Sequence, residues 1–116
     1  MQALGAAYEQ YGFVILQNHG VSDDLISRAL DGSKKFFALG EEEKKKYHLA
    51  GLGGARGYTG FGVETAKGST KYDLKEFWHL GRDLPPGHRY EDKMPPNVDV
   101  EEGDFTAVTK EIFVAL

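Results

Sequence analysis

Seven glycines fall between positions 51 and 68, and they exclude a long helix or a continuous strand across the middle of this 116-residue chain. Glycine costs a helix or strand interior about 0.5–1 kcal/mol relative to alanine, and it adopts positive φ readily. We therefore expect turns or an irregular strand there. A phosphate-binding loop is disfavoured, because Arg56 stands where the dinucleotide fingerprint needs glycine.

A first helix is predicted at the start of the chain. Leu4, Ala7, Tyr8 and Tyr11 are spaced as neighbours on one helical stripe. Gly12 follows directly and is expected to end the helix.

A short buried strand and a second helix are predicted next. The run from Phe13 to Leu16 is apolar on both faces and β-branched in the middle, as in a buried strand. Ser22 is placed to cap a helix whose first turn holds Asp23 and Asp24, where acids favour the helix dipole. The positions with helical spacing are Leu25, Ile26, Ala29, Leu30, Ser33, Phe36 and Phe37, and the two phenylalanines are expected to anchor the helix.

The charged run at 41–46 is predicted to be a short solvated helix. Three glutamates precede three lysines, and this order matches the helix dipole. With a net charge of −4 and no other basic run, the chain does not resemble a nucleic-acid-binding module. No uninterrupted apolar stretch, such as Phe13 to Leu16, is long enough to cross a membrane.

The second half of the chain is predicted to contain one strand, one loop and one helix. Asp73 to Leu80 is rich in aromatic and apolar residues, which suggests a strand covered on both sides. Two Pro-Pro pairs mark Arg82 to Asn97 as a loop or linker. A helix is predicted from about 104 to 116, and its apolar stripe runs to the final residue, so we expect it to be interrupted there; its stripe is Phe105, Val108, Ile112, Phe113 and Leu116.

No complete catalytic or metal site is expected from the residue spacing. The chain has no cysteine and four histidines, and none of the histidines has an acid two positions later. The two-histidine, one-carboxylate set that binds iron is therefore not formed by a His-x-Asp strand motif. Each histidine is predicted to be a hydrogen-bonded structural residue; they are His19, His48, His79 and His88.

Four segments together resemble a known enzyme family. They read, in order, YGFVILQNHGV, FFALGEEEKKKY, RGYTGFGVETAKG and DLKEFWHLGRDLP. Their order and intervals resemble the N-terminal region of the isopenicillin N synthase-like iron(II)/2-oxoglutarate dioxygenases, and the closest likeness is to bacterial members.

The resemblance implies an α+β fold of helices with a few short strands, the N-terminal portion of a double-stranded β-helix (jelly-roll) oxygenase. We treat 1–116 as one incomplete N-terminal domain whose partner is the missing C-terminal jelly roll. In the family, that jelly roll carries the iron site and the arginine that binds 2-oxoglutarate. Fe(II) and 2-oxoglutarate are thus expected for the full-length protein, and neither is expected on this chain alone.

Three residues near the glycines are the candidate substrate-binding residues that the resemblance implies. Arg56 is expected to clamp a substrate carboxylate, Glu64 to bind a cationic group, and Tyr58 to stack or hydrogen-bond. In the alternative interpretation, Arg56 and Glu64 pair with each other or with solvent, and Tyr58 packs. Asp73, Lys75 and Glu76 are predicted to form a local polar network, and the turn at 18–20 is predicted to be structural.

Two functions remain open on the sequence. The first is a region of an oxidoreductase that couples 2-oxoglutarate decarboxylation to hydroxylation, desaturation or ring closure of a small molecule. The second is a stand-alone, non-catalytic protein-interaction module. The apolar stripe that ends at Leu116 predicts self-association of the isolated chain. The lack of cysteine fits a cytoplasmic location.

Overall fold

A computed structural model describes residues 2–65, 67, 68, 70–101 and 103–116. Four helices and two short strands follow one another along the chain. This confirms the predicted α+β class. The elements are α1 (Gln2–Tyr11), α2 (Asp23–Phe37), α3 (Glu41–Lys45), β1 (Gly57–Thr59), β2 (Phe77–His79) and α4 (Phe105–Ala115).

Helix α1 forms where the sequence predicts it, and none of its residues is buried. It ends at Tyr11, and Gly12 follows with a φ of 75°, a conformation that glycine adopts without steric cost. Its apolar stripe is open to solvent, because Leu4, Tyr8 and Tyr11 are all exposed.

The predicted buried strand at 13–16 is wrong. The segment has no regular secondary structure, and Phe13, Ile15 and Leu16 are exposed, with Ile15 at 79%. A strand needs a neighbouring strand to accept and donate its backbone hydrogen bonds. Within the described residues, only β1 and β2 pair as strands, and they pair with each other.

Helices α2 and α4 pack against each other and form half of the core. The Ser22 hydroxyl accepts a hydrogen bond from the Leu25 amide at 3.2 Å, which confirms the predicted cap. Gly32 lets the helices approach closely, since a Cβ at this position would lie 3.2 Å from Val108. Four buried side chains form this cluster: Val21, Leu25, Ala29 and Val108.

A cluster of aromatic rings joins the helices to the sheet. Phe36 stacks on Phe105 with centroids 4.6 Å apart and ring planes 7° apart. The Phe36 ring also packs in a T-shaped, edge-type arrangement with Tyr58 and with Trp78. Phe36 is thus the anchor that the sequence predicts for α2, and burying such a ring contributes about 1.5–3 kcal/mol.

The sheet is a two-stranded antiparallel pair in which Tyr58 lies opposite Trp78. The predicted strand at 73–80 is therefore too long: only Phe77–His79 is strand, and Leu74 is 93% exposed. Strand β1 is only three residues long and ends at Thr59. A ladder of three residues cannot extend β2 toward Leu74.

The glycine-rich segment and the proline-rich segment are turns and irregular backbone, as predicted. Six of the seven glycines between 51 and 68 have positive φ. Residues 80–104 contain neither helix nor strand among the residues described there. In the described part of the chain, no helix has the length and apolarity that crossing a membrane requires.

Candidate functional site

A buried ion pair lies beside β1, where α2, α3 and the two strands come together. Lys44 Nζ donates to both carboxylate oxygens of Glu76, at 2.9 and 2.7 Å, and to the Phe37 carbonyl at 3.2 Å. The Tyr58 hydroxyl donates to Glu76 Oε2 at 2.6 Å. We call Lys44, Glu76 and Tyr58 the buried triad. The prediction of a fully solvated charged run was wrong at Lys44, which is buried.

The triad shifts the pKa values of two of its members. Burial and the hydrogen bond to the Glu76 carboxylate raise the pKa of Tyr58 to about 12. Burial also raises the pKa of Glu76, but the hydrogen bonds from Lys44 and Tyr58 outweigh it, so this pKa lies below its usual value. Glu76 is therefore a carboxylate and Tyr58 a neutral phenol at neutral pH.

Arg56 lies immediately before β1 and is half-buried. Its Nη1 donates to the Ala55 carbonyl at 2.6 Å. Its Nε is buried and has no hydrogen-bond partner. In the described part of the chain, Arg56 forms no ion pair with a carboxylate, and so the alternative in which it pairs with Glu64 is wrong.

Glu64 lies beyond β1 and pairs with Lys75 at 2.6 Å. Lys75 also lies 3.6 Å from Asp73, so two members of the predicted polar network do meet. Glu76 does not join them, because neighbouring residues in an extended segment point to opposite sides. Glu76 instead bonds Lys44 and Tyr58, the other members of the buried triad.

Tyr58 is 1% exposed and lies in the aromatic core. Its ring packs against Phe36 and its hydroxyl is bonded to Glu76. The structure thus places Tyr58 where the packing alternative put it. It does not bring Tyr58 together with Arg56 and Glu64 at one surface, and contact of the latter two with substrate stays a prediction.

All four histidines make hydrogen bonds to the backbone through Nδ1, as predicted for structural residues. His48 bonds the Tyr58 carbonyl at 3.1 Å and His79 the Gly54 carbonyl at 2.5 Å. His19 and His88 each accept from an amide two residues onward, at 3.2 Å. Across the described residues, no three His, Asp or Glu side chains are grouped to hold a metal ion. These residues do not fit an iron site.

An open apolar groove runs between β2 and the last turns of α4, with a volume of about 450 Å³. Trp78 lines it, and its indole Nε1 is buried without a hydrogen-bond partner in the described residues. Phe113 and Leu116 line the same groove and are exposed. We call this the α4 groove.

Comparison with known proteins identifies the family of the chain. A family model described as the non-haem dioxygenase in morphine synthesis N-terminal region matches residues 1–102. The chain belongs to this dioxygenase N-terminal family. The predicted resemblance is confirmed.

Individual dioxygenases are similar over most of the chain. The 2-oxoglutarate-dependent dioxygenase caaD of Aspergillus niger is 34% identical over 96% of this chain and 35% of its own length. The homoarginine-6-hydroxylase 2-ODD-233 of Oryza sativa subsp. japonica is 35% identical over 84% of this chain and 29% of its own.

A crystal structure of a 2OG-Fe(II) oxygenase family protein from Caulobacter crescentus is similar in both fold and sequence. It superposes with a TM-score of 0.81 at 50% identity, over 98% of this chain and 37% of that one. The chain therefore spans about a third of the length of the dioxygenases it matches.

Sequence reasoning missed three residues of this dioxygenase N-terminal region. Lys44 was read as part of a solvated run and Glu76 as part of a surface network, although they pair across 32 positions. Asn97 was read as loop, yet its side chain bonds the backbone of Gly81 in both directions. One sequence feature could have indicated the buried pair: Glu76 is a carboxylate that directly precedes an aromatic segment predicted to be covered.

Proposed function

We propose that this chain is the N-terminal supporting and substrate-pocket region of an Fe(II)- and 2-oxoglutarate-dependent oxygenase. The reaction is a hydroxylation, desaturation or ring closure of a small molecule. The observation that carries the proposal is the half-buried guanidinium of Arg56, which has no carboxylate partner in the described chain. Family membership supplies the reaction class.

Arg56 is proposed to bind a carboxylate of the substrate. A guanidinium stays charged at every physiological pH and presents a planar fork of donors that matches a carboxylate. Its buried Nε has no hydrogen-bond partner, so part of the donor capacity of the guanidinium is unused in this chain. We expect the substrate carboxylate to approach from the side that the Ala55 carbonyl does not occupy.

Glu64 is proposed to bind a cationic group of the same substrate. Its carboxylate is partly exposed and already pairs with Lys75. A partly exposed ion pair contributes little, about 0–1 kcal/mol, so a substrate cation can replace the lysine at small cost. An amino acid carries both charges, and the rice relative is named for homoarginine, which has a carboxylate and two cationic groups.

Tyr58 is proposed to act indirectly. Its phenol cannot reach a ligand from the core, but its hydrogen bond to Glu76 fixes β1, which begins one residue after Arg56. We therefore assign Tyr58 to positioning.

We propose that the jelly roll covers the α4 groove. The relatives are about three times longer than this chain, and in our proposal their additional length supplies the barrel, the iron and the 2-oxoglutarate. A barrel strand would bring apolar side chains to Phe113 and Leu116, and a backbone carbonyl for Trp78 Nε1. The stand-alone module would need another protein there.

The test uses the whole oxygenase that carries this sequence. Substrate-dependent release of succinate is measured with homoarginine and with two analogues, one without the carboxylate and one without the guanidinium. In the Arg56→Ala variant we expect kcat/KM for carboxylate-bearing compounds to fall at least about tenfold, as for a lost charge-assisted hydrogen bond. The analogue without a carboxylate should be affected much less.

Arg89→Ala is the matched control, because Arg89 is exposed and its side chain contacts the ring of Tyr90. Unchanged KM and kcat in Arg56→Ala would contradict the substrate role. The 116-residue chain alone is expected to bind neither iron nor 2-oxoglutarate. Micromolar binding with turnover by that chain would contradict the proposal that the jelly roll, and not this N-terminal region, supplies the iron and 2-oxoglutarate sites.

A cytoplasmic location stays our prediction. Fractionation of cells that express the whole protein, followed by detection of the protein in each fraction, tests it.

A further inference from the structure

The guanidinium of Arg56 lies directly on the backbone of Gly81. A Cβ at position 81 would overlap Nη2 and Cζ of Arg56 and lie 2.8 Å from its Nε. The arginine therefore occupies the space that any side chain at 81 would fill. Gly81 is not among the glycines with positive φ, so conformational freedom is not what requires glycine here.

Asn97 forms hydrogen bonds to both backbone groups of the same glycine. Its Oδ1 accepts from the Gly81 amide at 2.8 Å, and its Nδ2 donates to the Gly81 carbonyl at 2.7 Å. Nδ2 also donates to Asp83 at 2.7 Å. These bonds use both backbone groups of Gly81, as a neighbouring strand would, and they restrain the peptide under Arg56.

We infer that Gly81 and Asn97 are positioning residues for Arg56: they form a flat backbone platform that holds the guanidinium in the orientation in which it binds a carboxylate. Long, charged side chains lose rotamer entropy when they are fixed. A platform that fixes the guanidinium beforehand removes part of that loss from ligand binding.

The platform explains two features together. The guanidinium makes only one hydrogen bond in the described chain, to its neighbour Ala55, yet its Nε is buried. A single bond to an adjacent carbonyl does not fix a side chain of four rotatable bonds. Because Gly81 has no side chain, its backbone offers a surface on which the guanidinium can pack. The hydrogen bonds from Asn97 restrain that backbone.

This inference rests on the proposed function for its ligand, but not for its geometry. The experiment therefore has a structural arm and a ligand arm, both on the 116-residue chain labelled with ¹⁵N-arginine. The chain has four arginines, and Arg56→Lys assigns the Nε–H signal of Arg56 by its disappearance.

In the structural arm, Gly81→Ala should move the Arg56 Nε–H signal to the position of a solvated arginine and speed its hydrogen exchange at least about tenfold. The other three arginine signals should stay. Gly5→Ala is the matched control, because a Cβ there meets nothing within 4 Å and the position also lacks positive φ. An unmoved Arg56 signal in folded Gly81→Ala would overturn the inference.

Asn97 provides a second variant in case Gly81→Ala fails to fold. Asn97→Ala removes both bonds to Gly81 and should shift and broaden the same Nε–H signal. Asn97→Asp keeps the acceptor for the Gly81 amide and should restore part of the shift. Equal spectra for the parent, Asn97→Ala and Asn97→Asp would also overturn the inference.

The ligand arm uses acetate as the carboxylate probe. Acetate should perturb the Arg56 Nε–H signal in the parent chain, and this perturbation should be lost in Gly81→Ala. If Gly81→Ala moves the signal but acetate never perturbs it, the platform holds and the proposed carboxylate ligand fails. If acetate perturbs Arg56 equally in both chains, the carboxylate role holds and the platform is overturned.

Discussion

Lys44 and Glu76 form a two-pronged ion pair inside the folded chain, with Nζ 2.9 and 2.7 Å from the two carboxylate oxygens. Their side chains are only 8% and 15% exposed. Lys44 also bonds the Phe37 carbonyl near the end of α2, and Glu76 accepts from Tyr58 of β1. One charge pair thus ties α2, α3 and both strands together.

Removing one member of this pair is expected to cost much of the fold's stability. Lys44→Ala leaves the Glu76 carboxylate buried without its cation, and breaking a buried pair costs about 3–5 kcal/mol. Lys45→Ala is the control: Lys45 pairs with Glu41 and Glu42 at the surface, and such pairs contribute about 0–1 kcal/mol. Urea denaturation followed by tryptophan fluorescence measures both. Equal losses of unfolding free energy in the two variants would contradict a larger contribution from the buried pair than from the surface pair.

Stability is expected to fall in alkali because of Tyr58. Its pKa is raised to about 12 in the folded chain by burial and by Glu76, against a usual value of 10.0. The folded state therefore holds this proton more tightly than the unfolded state. The contribution is complete below pH 10 and is lost as the pH rises to about 12, a difference on the order of 2 kcal/mol.

Tyr58→Phe isolates this effect. The variant loses the hydrogen bond to Glu76 but has no phenol to ionise, so its free energy of unfolding should depend less on pH between 10 and 12. Chemical denaturation at half-unit pH steps compares the two chains. The same alkaline slope in both would place its origin in another group.

Stability is expected to fall in acid because of Glu76. Its pKa is depressed in the folded chain by Lys44 and Tyr58, against the burial that opposes them. The contribution is therefore complete above the unfolded-state pKa of about 4.5 and is lost as the pH falls through the lower, folded value. Glu76→Gln should flatten the acid limb of the stability curve. A limb of unchanged steepness in this variant would contradict the assignment.

Gly57 and Gly62 make a matched pair for testing close approach at β1. Both have positive φ, of 71° and 76°, but they differ in the space around them. A Cβ at Gly57 would overlap the Tyr47 carbonyl oxygen and lie 3.0 Å from Val98, whereas a Cβ at Gly62 meets nothing within 4 Å.

Gly62→Ala should therefore cost only the backbone strain, about 1–2 kcal/mol. Gly57→Ala should cost at least about 1 kcal/mol more, because its clash is with backbone that cannot rotate away. Thermal unfolding of the two variants gives the comparison. Similar melting temperatures would mean that the contact between β1 and Tyr47 relaxes easily.

The exposed end of the α4 groove is expected to make the isolated chain self-associate. Leu116 is 91% exposed and lies beside exposed Phe113 and Val114. Leu116→Glu should weaken association at least about tenfold, since burying a leucine contributes about 1.5–3 kcal/mol. Leu74→Glu is the control, because Leu74 is equally exposed but lies outside the groove.

Sedimentation velocity over a range of protein concentrations reads out this prediction. A parent chain that stays monomeric at millimolar concentration would refute it, as would equal effects of the two substitutions.

The helices could be predicted from the sequence because their signals are local. The Ser22 cap and the helical spacing up to Phe37 specify α2 from within its own segment. The apolar stripe that begins at Phe105 does the same for α4. The candidate strand at 13–16 failed for the opposite reason. Its apolar character is real, but a strand exists only with a partner, and the described chain brings none to it.

The site could be predicted only in part. Arg56 and Glu64 were predicted to bind substrate because they lie in a recognisable segment, and that role stays a prediction. The contacts of Gly81 and Asn97 were not predicted. Gly81 and Asn97 are separated by a long loop, and nothing in their spacing indicates that the amide of one reaches the backbone of the other. Lys44 was misread because neighbouring charges describe a helix surface, while its partner, Glu76, comes from a distant segment.

The two bonds between Asn97 and Gly81 also close the loop between them at its base. Once both ends of a loop are joined, each doubling of its length costs only about 0.6 kcal/mol of closure entropy. We therefore expect insertions or deletions within the proline-rich loop to cost little stability. Gly81 precedes that loop, so its contact with the Arg56 guanidinium should persist when the loop length changes.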